Sequence, residues 1–77
     1  MNDTSIRYLE MLQFLPMYPA KRSLPEIKEH LEEYGYFVSD RTIQRDLIKL
    51  SSAFGLYCDD RSIPFGWCWM KDAKRAD

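Results

Sequence analysis

Only three residues, Tyr36, Phe37 and Val38, separate Gly35 from Ser39. Glycine commonly ends a helix because it adopts the left-handed backbone conformation readily, and serine commonly precedes one because its hydroxyl accepts a free backbone N–H. Two helices are therefore expected to follow each other across a short, partly apolar turn that is buried between them. This is the spacing of a helix-turn-helix.

The segment after this turn has the pattern of an amphipathic helix. At about 100° per residue, four apolar side chains fall within about 60° of one another. They are Ile43, Leu47, Leu50 and Phe54. The opposite side carries Arg41, Arg45, Ile48 and Ser52. We predict a helix over about residues 40–54 that is stopped by Gly55, with its apolar side in the core and two arginines exposed one turn apart.

The outer side of this helix carries hydrogen-bonding groups of the kinds that read base edges or hold phosphates. They belong to Ser39, Arg41, Thr42, Gln44, Arg45 and Lys49. We interpret the segment as a recognition helix for double-stranded DNA. The alternative, from this segment alone, is an ordinary surface helix with solvated basic side chains. The order of the surrounding elements favours the recognition helix.

A first helix is predicted near the N-terminus. Thr4 or Ser5 is its expected cap, and it should end near Leu15 because Pro16 disfavours helical geometry in the residue before it. Its predicted apolar stripe contains Ile6, Leu9 and Leu12, with Phe14 or Leu15. The following residues 16–22 read as a connector.

A second helix is predicted to begin at Ser23, because Ser23-Leu-Pro-Glu26 has the form of a capping box. Its apolar positions are Leu24, Ile27, Leu31 and Tyr34, and Gly35 ends it. Lys21 and Arg22 lie just before it. They are either contacts to a phosphate backbone or solvated turn charges.

The titratable residues of the second helix do not predict catalysis or metal binding. Its four glutamates form a face that we expect to be solvated, and His30 among them is expected to be a surface side chain. The glutamates are Glu26, Glu29, Glu32 and Glu33. Cys58 and Cys68 lack the spacing of a zinc site and are expected to be free thiols. We expect no enzyme activity, no metal and no cofactor.

Two short strands are predicted after Gly55, over residues 56–59 and 67–70, joined by a turn. Trp67 and Trp69 share one strand face, and we expect them to pack the hairpin on the helices rather than to stack on bases. Arg61 at the hairpin tip is a candidate contact to the DNA backbone or minor groove. The predicted fold is mainly α with a small β-hairpin: a winged helix-turn-helix with three helices and a two-stranded wing.

Length and charge limit this interpretation. Seventy-seven residues allow one small domain without a deep substrate cavity. We assign residues 1–70 to the domain and 71–77 to a polar tail or the start of a linker. The net charge is −1, but three basic side chains on the third helix outnumber Asp46. No apolar run reaches the length of a membrane span and no export signal is present, so we expect a cytoplasmic protein without membrane contact.

Two runs of the sequence resemble a known family. Ser39-Asp-Arg-Thr-Ile-Gln-Arg-Asp-Leu47 and Asp60-Arg-Ser-Ile-Pro-Phe-Gly-Trp-Cys-Trp69 are similar to the N-terminal winged helix of bacterial WYL-domain, or DeoR-like, transcriptional regulators. The resemblance covers about residues 5–72. Cys68 departs from it, because this position is often basic in the family.

The resemblance implies that the third helix enters the major groove, with Arg41, Thr42, Gln44 and Arg45 at the DNA and Arg61 as a wing contact. It also implies a regulator, predicted here to be a repressor, that is a homodimer at full length. Members of the family continue into a ligand-sensing WYL domain, which would bind any effector ligand and is absent from this chain. The chain is therefore expected to be either the DNA-binding fragment of a longer regulator or a small protein that stands alone. A second hypothesis is a winged-helix protein–protein interaction module without DNA binding, which the acidic total charge and the outward Ile48 permit.

Overall fold

The computed structural model describes residues 3–60 and 65–70. The described residues form three helices, α1 (Asp3–Phe14), α2 (Leu24–Glu33) and α3 (Asp40–Ser51). They also form three short strands, β1 (Arg22–Ser23), β2 (Leu56–Asp59) and β3 (Gly66–Trp69). The strands make one antiparallel sheet in the order β1-β3-β2. The chain is therefore mostly helical with a small sheet, as predicted, and this architecture is compatible with a winged helix.

The prediction of a two-stranded β element is wrong, because the sheet has a third strand. Arg22 of β1 pairs with Trp67 of β3, at the end of the predicted connector. Earlier residues of the connector also follow β3: Tyr18 donates its N–H to the Trp69 carbonyl, and the Trp69 N–H is donated to the Pro16 carbonyl, both at 2.8 Å. A strand of two residues is too short to produce an alternating pattern, so no periodicity in the sequence indicated it.

The predicted caps of α2 and α3 are confirmed. Ser23 accepts the Glu26 N–H, while the Glu26 carboxylate accepts the Ser23 N–H at 2.9 Å, which completes the capping box. Ser39 accepts the Thr42 N–H at 3.2 Å. Gly35, just after α2, has φ of +86°, a conformation strained for residues with a Cβ atom. These local signals set where α2 begins, where the chain turns after it and where α3 begins.

Several predicted boundaries differ from the structure. Residues 4 and 5 lie inside α1 and do not cap it. The third helix ends at Ser51, before the predicted end near residue 54. The Ser51 hydroxyl donates to the Ile48 carbonyl at 2.6 Å, and the Ser52 hydroxyl donates to the Lys49 carbonyl at 2.7 Å. These bonds help to satisfy carbonyls of the last turn, which would otherwise accept from the backbone N–H groups of a longer helix. Strand β3 covers residues 66–69 instead of 67–70.

The core lies between the three helices and one face of the sheet. Its buried members are Met11, Leu12, Leu15, Ile27, Leu31, Ile43, Leu47, Leu50, Leu56, Trp67 and Trp69. The Trp69 side chain donates its Nε1–H to the Leu12 carbonyl at 3.0 Å, so its polar atom is satisfied inside the core. The prediction that the tryptophans pack the sheet on the helices is confirmed. Among the described residues, none of the helices has the length and apolarity that a membrane span requires.

Four side chains occupy environments other than those predicted. Leu9, Tyr34 and Phe37 were expected in the interior but are 39%, 58% and 76% exposed. The helix α1 buries Met11 in place of Leu9, and the turn between α2 and α3 directs Phe37 outward. His30 was expected at the surface, but it packs between helices. Its ring stacks on Phe14 with centroids 4.1 Å apart, and its Nε2 lies 3.2 Å from a Glu10 carboxylate oxygen.

Candidate nucleic-acid interface

The helix α3 is buried on one side and exposed on the other, as its sequence pattern predicted. Ile43 and Leu47 are fully buried in the core. The opposite side is formed by Arg41, Gln44, Arg45, Ile48 and Lys49, all of which are exposed. We call these five residues the outer face. This face presents two guanidinium groups, one ammonium and one amide to solvent.

Two of the predicted DNA-contacting residues have structural roles at the start of α3. The Ser39 hydroxyl caps the helix and also donates to the Thr42 hydroxyl at 3.1 Å. Ser39 is exposed and Thr42 is half-buried beside the outer face. Both hydroxyls therefore lie at the positive end of the helix dipole, where backbone N–H groups and the dipole favour an anion.

The buried acid of α3 is neutralised by α1. Asp46 is 1% exposed, and its Oδ2 accepts hydrogen bonds from Arg7 Nε at 3.2 Å and Arg7 Nη2 at 2.7 Å. From the sequence alone, Asp46 was expected to subtract one charge from the basic surface of the helix. Because Arg7 compensates this charge from the inner side, Asp46 acts on the outer face only at short range, at the neighbouring Arg45.

The other acid of α3 is also paired with a cation from a different helix. Asp40 Oδ1 lies 3.4 Å from Lys28 Nζ of α2. On the outer face, Arg45 Nη2 lies 3.8 Å from Asp46 Oδ1, and the Arg45 side chain remains 72% exposed. Among residues 3–60 and 65–70, no carboxylate forms an ion pair with Arg41 or Lys49. The outer face therefore keeps a local excess of positive charge on a chain of net charge −1.

Lys21, a predicted phosphate contact, crosses the sheet. Its Nζ lies 4.0 Å from Asp59 Oδ2. Its stem passes over Gly66 so closely that a Cβ atom there would lie 2.6–2.8 Å from three of its carbons. The absence of a side chain at Gly66 is what allows this path. A phosphate contact from Lys21 would have to compete with the Asp59 carboxylate.

Arg22, the other predicted phosphate contact before α2, has partners on two neighbouring elements. Its Nη1 lies 3.6 Å from Glu26 Oε2, and its guanidinium carbon lies 5.0 Å from the centre of the Phe14 ring. The hydrogen bond from the Ser23 N–H, with smaller contributions from the Ser23 hydroxyl and Arg22, lowers the pKa of the Glu26 carboxyl. Arg22 is thus held by an ion pair and a cation–π contact, although its side chain remains 44% exposed.

A groove adjoins the outer face and was not predicted. It has a volume of about 230 Å³ and is lined by Leu24, Pro25, Gln44, Cys58, Phe65 and Trp67. Gln44 belongs to both the groove and the outer face, and Phe65 at the groove is 56% exposed. Burial, together with the charges of Asp60 and Asp59, raises the pKa of the Cys58 thiol. The lining residues come from distant parts of the sequence, so no local motif could have indicated the groove.

The remaining predicted contact, Arg61 at the hairpin tip, lies outside the described residues, as does the polar tail 71–77. Cys58 and Cys68 are not in a disulfide bond, as predicted. Within the part of the chain that the structure describes, no three His, Cys, Asp or Glu side chains are arranged to hold a metal ion.

Comparison of the chain with protein-family models, with curated protein sequences and with solved structures finds no match. The resemblance to WYL-domain regulators therefore rests on the two sequence runs quoted above.

Proposed function

We propose that this chain is a winged helix-turn-helix domain that binds double-stranded DNA through the outer face of α3. In this proposal the domain acts in the bacterial cytoplasm as part of a WYL-type transcriptional regulator, which represses genes by occupying promoter DNA. The chain itself has no catalytic role. A homodimer of the full-length regulator supplies the affinity that one small domain lacks.

The proposal depends chiefly on the charge arrangement of α3. Arg41, Arg45 and Lys49 are exposed on one side, while Asp46 and Asp40 are each paired with a cation of another helix. Basic side chains on one face of a helix that follows a short turn are the feature that a recognition helix presents to the major groove. Arg41, Thr42, Gln44 and Arg45 are proposed to read bases. Ser39 and Lys49 are proposed to contact phosphates.

The contribution of Lys21, Arg22 and Arg61 to DNA binding is a further part of the proposal. Each would hold phosphates and position the domain without reading sequence. Lys21 and Arg22 would contribute less than residues of α3, because each already has a carboxylate partner in the chain.

The first test is binding to a DNA duplex selected by the wild-type chain from a randomised pool. We expect Arg45→Ala to weaken binding to the selected duplex by about 1–3 kcal/mol, the usual value of a bidentate contact between arginine and a base pair. Lys28→Gln is the control, because it also removes one positive charge but from α2, where Lys28 pairs with Asp40. An Arg45→Ala loss no larger than that of the control would remove Arg45 from the set of base contacts.

A second candidate function is protein–protein interaction through the same surface. The observation that favours it is the exposure of apolar side chains on or next to the outer face: Ile48 is 55% exposed and Phe65 is 56% exposed. A salt titration separates the two functions. For DNA binding we expect log K to fall with log salt concentration with a slope of about −2 to −3, corresponding to roughly three released counterions. An apolar protein partner would give a slope near zero.

A further inference from the structure

Asp46 lies within ion-pair distance of two arginines, one mostly buried and one exposed. Arg7 of α1 donates two hydrogen bonds to one carboxylate oxygen, Oδ2. The other oxygen, Oδ1, lies 3.8 Å from Nη2 of Arg45, beyond hydrogen-bond distance but within ion-pair distance. The inner arginine side chain is 13% exposed and the outer one is 72% exposed. One buried carboxylate thus connects the interior to the outer face of α3.

This arrangement is unusual for neighbouring residues of a helix. Side chains at positions i and i+1 diverge by about 100° and do not normally face each other. Arg45 points to solvent and Asp46 points to the core, yet their polar groups approach each other. The Arg45 guanidinium therefore lies close to the helix surface on the side of Asp46, and does not extend freely away from it.

We propose that Asp46 is a positioning residue for Arg45 and thereby determines sequence specificity; this rests on the proposed function. Arg7 holds the carboxylate through Oδ2, so Oδ1 stays directed toward the outer face. The charge of Oδ1 restricts the rotamers of Arg45 before DNA binds, which reduces the entropy lost when the guanidinium engages a base pair. A guanidinium with fewer accessible rotamers suits the bidentate acceptor pair of guanine, O6 and N7. The DNA feature recognised is therefore a G·C pair.

A merely structural role of Asp46, joining α1 to α3, makes a different prediction. It would affect all contacts of α3 together, whether or not Arg45 is present. A positioning role affects specificity only through Arg45. A double-mutant cycle between Asp46 and Arg45 distinguishes the two roles, because the effects of independent changes add and those of coupled changes do not.

The principal variant is Asp46→Asn in the full chain. The amide has the shape of the carboxylate and keeps one oxygen for Arg7. It then presents N–H donors, which cannot attract a guanidinium, to Arg45. Asp40→Asn is the matched control, since it also removes one negative charge from α3 but at an exposed position that pairs with Lys28. Circular dichroism and thermal unfolding establish the temperature range in which each variant is folded.

The readout is a set of affinity ratios. Each ratio compares the duplex that the wild-type chain selects from a random pool with a copy of it in which one G·C pair is replaced by A·T. We expect Asp46→Asn to reduce the largest of these ratios by roughly fivefold or more, and Asp40→Asn to leave it nearly unchanged. In the Arg45→Ala background, Asp46→Asn should have no further effect on that ratio.

Three results would overturn the inference. A reduction by Asp46→Asn that is equally large in the Arg45→Ala background shows a structural role only, and an unchanged ratio in folded Asp46→Asn shows no role in specificity.

If Asp46→Asn does not fold, Arg7→Lys replaces it: lysine keeps the charge but lacks the fork that holds Oδ2, and the same Arg45-dependent reduction is expected. Its absence contradicts the inference. Failure of the wild-type chain to select any duplex contradicts the proposed function itself, whereas selection with independent effects contradicts only this inference.

Discussion

Arg7 and Asp46 form an ion pair between α1 and α3. The Asp46 side chain is 2% exposed and the Arg7 side chain 13% exposed, so water solvates both groups poorly and the ion pair offsets that loss of solvation. Sequence reasoning recognised the apolar side of α3 from its period but treated Asp46 as a surface charge. The pairing could not be predicted because it joins residues 39 positions apart, and helix periodicity contains no information about such partners.

The burial of this ion pair predicts how variants of Arg7 and Asp46 change the free energy of unfolding. Arg7→Ala removes both hydrogen bonds that the buried Asp46 carboxylate accepts from α1 and should lower the free energy of unfolding by about 3–5 kcal/mol. The double variant Arg7→Met with Asp46→Leu should recover most of this loss, since apolar residues of similar size avoid the desolvation cost. Urea unfolding measures both. As a control, Lys28→Ala breaks an exposed pair and should cost at most about 1 kcal/mol. Equal losses for Arg7→Ala and the control would contradict this description.

Gly66 gives a second prediction at the residue scale. A Cβ atom there would lie 2.6 Å from Cγ, 2.7 Å from Cδ and 2.8 Å from Cβ of Lys21. Gly66→Ala should therefore destabilise the fold by about 1–3 kcal/mol through overpacking. Adding Lys21→Ala should recover only part of this loss, because it removes Cγ and Cδ but keeps Cβ. Thermal unfolding of the single and double variants provides the measurement, and an unperturbed Gly66→Ala protein would show that the contact relaxes without cost.

The elements differ in how far their own sequence determines them. The helices α2 and α3 begin at Ser23 and Ser39 because capping is a local interaction completed within three residues. The end of α3 was less predictable, because Gly55 was taken as the stop and serine hydroxyls end the helix earlier. Strand β1 was not predicted at all, since two residues become a strand only when β3 lies beside them. Local chemistry thus determines where α2 and α3 begin, whereas strand β1 depends on tertiary pairing that the local sequence does not show.

The capping box of α2 should make stability depend on pH. Folding lowers the pKa of Glu26 below its ordinary value of 4.5. A carboxyl group whose pKa is lower in the folded state stabilises the fold above the unfolded-state pKa, and this contribution is lost as the pH falls through the folded-state pKa. Glu26→Gln keeps an acceptor for the Ser23 N–H but not the charge. The stability difference between wild type and Glu26→Gln should therefore be largest at neutral pH and shrink below about pH 4.5. A difference that is the same at pH 7 and pH 3 would contradict it.

For the whole molecule, charge distribution matters more than net charge. A total of −1 argues against DNA binding only if charges are spread evenly. The fold instead pairs the acids of α3 with cations of other helices and exposes the bases of α3 on one side. The sequence was sufficient to predict this side and the packing of the tryptophan pair. It was not sufficient to predict the groove at Gln44 or the Asp59 partner of Lys21, because these require elements from distant parts of the chain to meet. The Glu26 partner of Arg22 is local, since it lies four residues further along the chain.

A second surface of the molecule, away from the proposed DNA contacts, provides an internal reference in measurements of DNA binding. A shallow apolar groove runs between α1 and the end of α3 and includes Leu9, Leu50 and Phe54. The proposal assigns no DNA contact to this groove. Its residues should therefore report changes of the whole fold, while residues of the outer face report the contact itself.

The most direct test of the proposal is a titration of the isotope-labelled chain with its selected DNA duplex, followed by two-dimensional amide NMR. We predict that the largest shift changes occur at residues 39–49 and in the side-chain signals of Arg41, Gln44 and Arg45, and that the amide of Leu9 changes little. High salt should reverse these changes. The account would be contradicted if DNA moved the signals of the groove at Leu9 most strongly and left those of the outer face of α3 in place.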